Sequence, residues 1–183
     1  MEKREATVFF AETTSEGEKM LVESVRDSGG RHLKAIGSAH LCLFDNPQAA
    51  CDTALKLLRA ELPLPLRVGI AKGTVTVTGE DAFGEVVNLA ARLQGIARPG
   101  EVYFSGGVLE SIDRARTPFK EIGTRQFKGI GDTVHVYSLL KEHAAAAPKP
   151  KERGRESAKE LFDFTRVDQE RIAEEEALRS RLP

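Results

Sequence analysis

Cysteine is nearly missing from this chain: its 183 residues contain two, Cys42 and Cys51, both inside apolar segments. That argues against a disulfide framework and for buried thiols in a reducing compartment. No cluster of Cys and His has the spacing of a zinc site. Charge of one sign is missing too. The 27 basic and 28 acidic residues are interspersed and leave a net charge of -1. Non-specific nucleic-acid binding needs a basic face to neutralise phosphates, so nucleic acid is not an expected partner. No apolar run approaches the ~18–20 residues that cross a bilayer. The N-terminus, MEKREATVFFAE, has no signal-peptide apolar core. The expectation is a cytoplasmic protein without a membrane span.

Apolar residues make up 40% of the chain, enough for one core. Residues 6–11 read as a buried strand, and residues 16–28 as a helix with Met20, Leu21 and Val25 inward. His32 to Phe44 reads as two strands joined at Gly37-Ser38. Asn46-Pro47 opens a helix over 47–60. After Pro63 and Pro65, Leu66–Ile70 is a strand. Lys72-Gly73 is expected to turn it, with Lys72 solvated, into the alternating strand Thr74–Thr78. Gly79-Glu80-Asp81 is a loop, and residues 84–96 are an amphipathic helix carrying Val87, Leu89, Ala90, Leu93 and Ile96. A strand at 102–104, a helix near 107–113 and strands near 119–128 and 133–140 complete the pattern.

The order β-α-β-β-α-β predicts an α+β, ferredoxin-like sandwich. One sheet face is expected under helices and the other free for a partner or ligand. Residues 1–142 form this domain. Residues 143–155 are Ala-, Pro- and Lys-rich and read as a linker. Residues 156–183 are charged, with apolar residues at loose helical spacing, and read as a helical tail.

Asn88 and Arg92 stand four apart on the 84–96 helix and so share a face. An amide and a guanidinium there can hold a ribose and offset charge on a phosphoryl group. The segment Asp81-Ala82-Phe83-Gly84-Glu85-Val86-Val87-Asn88-Leu89-Ala90-Ala91-Arg92 resembles the signature of the class III adenylate/guanylate cyclase domain. Lys34-Ala35-Ile36-Gly37-Ser38 is similar to that family's K-x-I-G-D hairpin. Phe127-Lys128-Gly129 with Val134-His135-Val136-Tyr137 is similar to its terminal strand pair, and Val8–Glu12 to its opening strand. The resemblance covers roughly residues 6–140.

It implies that Lys34 and Asp81 read the edge of adenine, with ATP or another purine nucleotide as ligand. Lys donates to a ring nitrogen and Asp accepts from the exocyclic amine. Guanine presents the opposite arrangement. Lys128 matches the basic residue that faces the triphosphate. The family works as a dimer, so a homodimer or a pair with another cyclase-like chain is implied.

The chain departs from the family where that family holds two Mg²⁺ or Mn²⁺ ions with two Asp residues. Glu12 and Ser38 stand at those positions. Glu12 shifts its carboxylate by over ~1 Å, which the Mg²⁺ octahedron tolerates poorly. Ser38 replaces an anion by a neutral hydroxyl, expected to cost at least ~100-fold in rate. Between Glu12 and Gly37 there is room for one helix where the family has two, and Thr13-Thr14-Ser15-Glu16-Gly17 replaces its phosphate-cradling turn. The expectation is a degenerate cyclase domain, inactive alone, serving as a nucleotide-binding or protein-interaction module. Its alternatives are the substrate-binding half of a heterodimeric adenylate cyclase, or a weak homodimeric one using Glu12. Metal would be needed only by an active form.

Overall fold

Eleven extended residues, Glu2–Glu12, form strand β1, whose side chains from Ala6 to Ala11 alternate between two faces that are buried or nearly so. Phe9 and Ala11 point into one apolar cluster, and Ala6 and Val8 into another. The computed structural model describes residues 1–60 and 66–141. The expected linker and tail, and the Pro63/Pro65 break, lie outside them. After β1 come α1 (Ser15–Asp27), β2 (Arg31–Ile36), β3 (Ala39–Phe44), α2 (Pro47–Arg59) and β4 (Arg67–Thr78). Then follow β5 (Asp81–Phe83), α3 (Glu85–Ile96), β6 (Val102–Ser105), α4 (Gly106–Leu109), β7 (Phe119–Arg125) and β8 (Val134–Leu139).

The sheet order is β2-β3-β1-β4-β6-β8-β7, with β5 hairpinned onto β4. Its first four strands, with α1 and α2, are the expected ferredoxin-like unit. Asn46 caps α2 through its side chain, accepting from the Gln48 amide at 2.9 Å, and Pro47 follows at the first turn. Leu21 and Val25 of α1 join Ala50, Ala54 and Leu57 of α2 against Phe9, Cys42, Phe44, Val68 and Ile70. Cys42 and Cys51 are both buried there. Burial pushes each thiol up to about 12, so neither is a nucleophile at neutral pH.

Four expectations are corrected. The second sheet face is not free: α3 lies on it, with Val86, Ala90 and Leu93 packed against Val8, Leu41, Ala71 and Val75. Lys72-Gly73 is no turn, because β4 runs unbroken from Arg67 to Thr78, paired with β1 from Glu12↔Arg67 to Glu2↔Val77. Glycine sits at 73 because a Cβ there would crowd the Val86 side chain of α3 at 3.3 Å. The chain reverses instead at Gly79, whose φ of +59° favours glycine. Lys72 is not freely solvated; its Nζ donates to Ser111 Oγ at 3.0 Å. Met20 is 40% exposed rather than core, since α1 turns Leu21 and Val25 to the sheet.

His32 and His40 sit side by side on β2 and β3, His32 Nε2 3.1 Å from His40 Nδ1. His40 is buried and His32 half-buried. Burial is the main cause lowering both imidazoles from 6.5. Of the charged groups on α1 facing them, Glu18 opposes that shift in both, and Arg26 adds to it in His32. The folded chain therefore binds protons less readily here than the unfolded chain. This contribution is full above 6.5 and is lost as pH falls through that value towards the lowered ones. The thermal midpoint is expected to drop between pH 7.5 and 5.5, and to drop less in His40→Leu. An equal drop in both proteins would show that these imidazoles are not the source.

Candidate functional site

Two side chains 47 residues apart meet at the start of the site. The β2–β3 hairpin carries Lys34, and Asp81 opens β5 just after the turn of the β4–β5 hairpin; Lys34 Nζ stands 2.5 Å from Asp81 Oδ2. The second Asp81 oxygen accepts from the Ala82 amide at 2.8 Å. The Lys34 hydrogen bond holds the Asp81 carboxyl below the usual carboxylate range, against partial desolvation and with help from the Ala82 amide. Lys34 Nζ also lies 5.9 Å from the centre of the Phe83 ring.

This pair borders an open cleft of about 520 Å³, within the range of small-ligand sites. Asn88 lines the same cleft, placed there because Gly84 (φ +138°) turns the chain from β5 into α3. Phe10, Leu41 and Val87 supply apolar wall, while Ile36 and Phe83, both more than half exposed, also line it. Three predicted residues thus come together: Lys34, Asp81 and Asn88. Arg92, one turn further along α3, and Lys128 are exposed and do not line the cleft, although Gly129 does.

Glu12 and Ser38, expected from the resemblance at the metal positions, also meet. Ser38 Oγ donates to Glu12 Oε1 at 3.0 Å, and the Thr13 amide donates to the Ser38 carbonyl at 3.2 Å. The other Glu12 oxygen is taken as well. Gln94 Nε2 of α3 donates to Oε2 at 2.8 Å, and the Arg67 guanidinium forms an ion pair with it. Sequence reasoning missed Arg67 and Gln94. Arg67 faces Glu12 through the β1–β4 register, and Gln94 lies on the buried stripe of α3. Neither relation is visible in local spacing.

These residues do not fit a two-metal centre. Among the described residues that meet here, Glu12, Ser38, Arg67 and Gln94, the anion is Glu12, and both of its oxygens already have donors. Among the described residues no three His, Cys, Asp or Glu side chains converge as ligands. Asp45 pairs with Arg4, and Asp52 with Arg116. A divalent ion ~4 Å from the Arg67 charge would meet roughly 8 kcal/mol of repulsion at an effective dielectric constant of 20, before solvent screening. No helix among the described residues is long and apolar enough to cross a membrane.

Comparison with known proteins identifies the family. The family model for the adenylate and guanylate cyclase catalytic domain matches residues 18–141. The chain is 30% identical over 161 residues to a pH-sensitive adenylate cyclase of Mycobacterium tuberculosis, covering 74% of this chain and 41% of that protein. It is 38% identical over 109 residues to an adenylate cyclase of Streptomyces coelicolor, covering 57% and 27%. The chain thus spans less than half the length of these curated relatives. Among solved structures, an adenylate/guanylate cyclase/hydrolase from Silicibacter pomeroyi superposes with a TM-score of 0.70 at 25% identity, over 76% of this chain and 98% of that one. The adenylyl cyclase CyaB of P. aeruginosa shares the fold, with a TM-score of 0.65 at 19% identity, over 80% of this chain and 100% of that one.

Proposed function

The chain belongs to the adenylate and guanylate cyclase catalytic domain family, and from that membership we propose that it is a nucleotide-binding signalling module that does not cyclise ATP on its own. The observation that carries this reading is the ion pair of Glu12 with Arg67, beside Ser38. Joining a ribose 3′-oxygen to the α-phosphorus needs charge stabilisation at the attacking and leaving oxygens. A seat with one carboxylate, already neutralised by a guanidinium, supplies no second anion to hold the two ions that give it.

Binding is a separate matter, and the cleft keeps its groups. Lys34 Nζ donates to an adenine ring nitrogen, and Asp81 accepts from the exocyclic amine. Asn88 orients the ribose from the first turns of α3. The test is ATP turnover by the purified chain in Mn²⁺, which is less demanding of geometry than Mg²⁺. The expected rate lies at least ~100-fold below that of family members with two Asp ligands. Cyclic AMP formation at their rate would end this reading.

One observation favours a second reading. Lys34, Asp81 and Asn88 line one cleft, and Arg92 is exposed on the same helix. That is the substrate-binding contribution to a site completed by another chain. Mixing with a cyclase chain that carries both Asp residues would then yield cyclic AMP, and Arg92→Ala would remove the gain. If mixing gives no more product than the added chain alone, the heterodimer reading falls.

A further inference from the structure

The ring of Phe83 meets a charge rather than the core. Strand β5 is three residues long, and alternation along it buries Ala82 and turns Asp81 and Phe83 to the other side. Pairing of Phe83 with Thr76 of β4 fixes where the ring stands. More than half of that ring stays exposed. Lys34 reaches both neighbours from β2. Its Nζ is 2.5 Å from Asp81 Oδ2 and 5.9 Å from the centre of the Phe83 ring. The second distance lies inside the ~6 Å over which the negative face of a ring attracts an ammonium. A carboxylate and a ring, two residues apart on one strand, thus bracket one positive charge.

The two partners hold that charge in different ways. Lysine carries it at the end of a flexible four-carbon stem. Asp81 fixes the tip through a hydrogen bond, and that bond weakens when a ligand donates to the same carboxylate. Attraction by the ring face uses no lone pair of Asp81, so it persists when Asp81 turns to a ligand. A leucine at this position would supply apolar cover of similar bulk but no such attraction.

We infer that Phe83 is a positioning residue: its ring holds the Lys34 ammonium at the cleft while Asp81 engages the ligand. This deepens the nucleotide-binding reading above and rests on it. The ring acts through Lys34 and needs no contact of its own with the ligand.

The test uses the full chain, Phe83→Leu and Phe83→Tyr, with unchanged melting curves showing that the fold is kept. Proton NMR of the ligand-free proteins reads the Lys34 side chain, its signals assigned by their loss in Lys34→Arg. Ring current is expected to shift the Lys34 Cε protons upfield in the full chain and in Phe83→Tyr, but not in Phe83→Leu. Calorimetric titration with ATP and Mn²⁺ is expected to show Phe83→Leu weaker by about two- to fivefold. Phe83→Tyr keeps the ring face and should stay within about 1.5-fold of the unmodified chain. Lys34 protons unshifted in the unmodified chain overturn the inference. So does a lost upfield shift with unchanged ATP affinity, or a weakened affinity with the shift retained. No heat from the unmodified chain overturns the nucleotide-binding reading, and the NMR signals then separate the two failures: shifted Lys34 protons mean that this reading alone has failed, unshifted ones that both have.

Discussion

Gly69→Ala is expected to destabilise the domain by about 3 kcal/mol or more, an unusually large loss for one methyl group. The Cβ would stand 2.0 Å from the Ala90 carbonyl oxygen and 2.4 Å from the Gln94 amide nitrogen. Both are backbone atoms of α3, so no rotamer change relieves the clash. The helix must lift from β4, or β4 must leave its pairing with β1. Either movement opens the buried stripe of Val86, Ala90 and Leu93 and draws Asn88 and Gln94 from their places. Gly95→Ala is the matched control on the same helix. A Cβ there meets nothing within 4 Å, and the helical backbone gains up to ~0.5–1 kcal/mol from losing glycine. Denaturant unfolding of the two variants should therefore move in opposite directions. A Gly69→Ala loss below ~1 kcal/mol would show that α3 rides loosely on the sheet.

The fate of Gly69 and Gly73 shows where the sequence was informative and where it fell silent. Local period revealed β1, α1, the β2–β3 hairpin at Gly37-Ser38 and α2 with its Asn46 cap, because each is specified by neighbours within a few residues. Gly73 after Lys72 looked like a turn because turn chemistry and close helix approach both select glycine. Only the tertiary packing of α3 distinguishes them. The same ambiguity hid the second layer, for apolar residues at Val87, Leu89, Ala90, Leu93 and Ile96 state that a face is buried, not against which side of a sheet; the structure buries Val86, Ala90 and Leu93 and leaves Ile96 exposed. In the site, the family resemblance singled out Lys34, Asp81 and Asn88, and the structure brings these three to one cleft. Arg67 and Gln94 were not legible. Their meeting with Glu12 depends on strand register and helix placement across 55 and 82 positions.

Ser38→Asp is expected to tighten Mn²⁺ binding at least ~10-fold, because it changes the sign of the seat rather than its shape. In the present chain Glu12 and Arg67 cancel, and the Ser38 hydroxyl donates into Glu12 at 3.0 Å. An aspartate there can no longer donate; it sets a second carboxylate beside the first against a single guanidinium. The net negative charge is relieved by a divalent cation, which one or two carboxylates with water can hold. Shortening the neighbour as well, in Glu12→Asp with Ser38→Asp, corrects reach along with charge and should exceed the single variant. ATP turnover in Mn²⁺ is expected to rise at least ~10-fold over the unmodified chain, since each step adds transition-state electrostatics of that order. Calorimetric Mn²⁺ titration separates binding from rate. If both variants fold and neither gains Mn²⁺ affinity, the missing anion is not what closes the seat. The cause would then lie in the single helix between β1 and β2, which leaves the metal positions without the wall that a second helix provides.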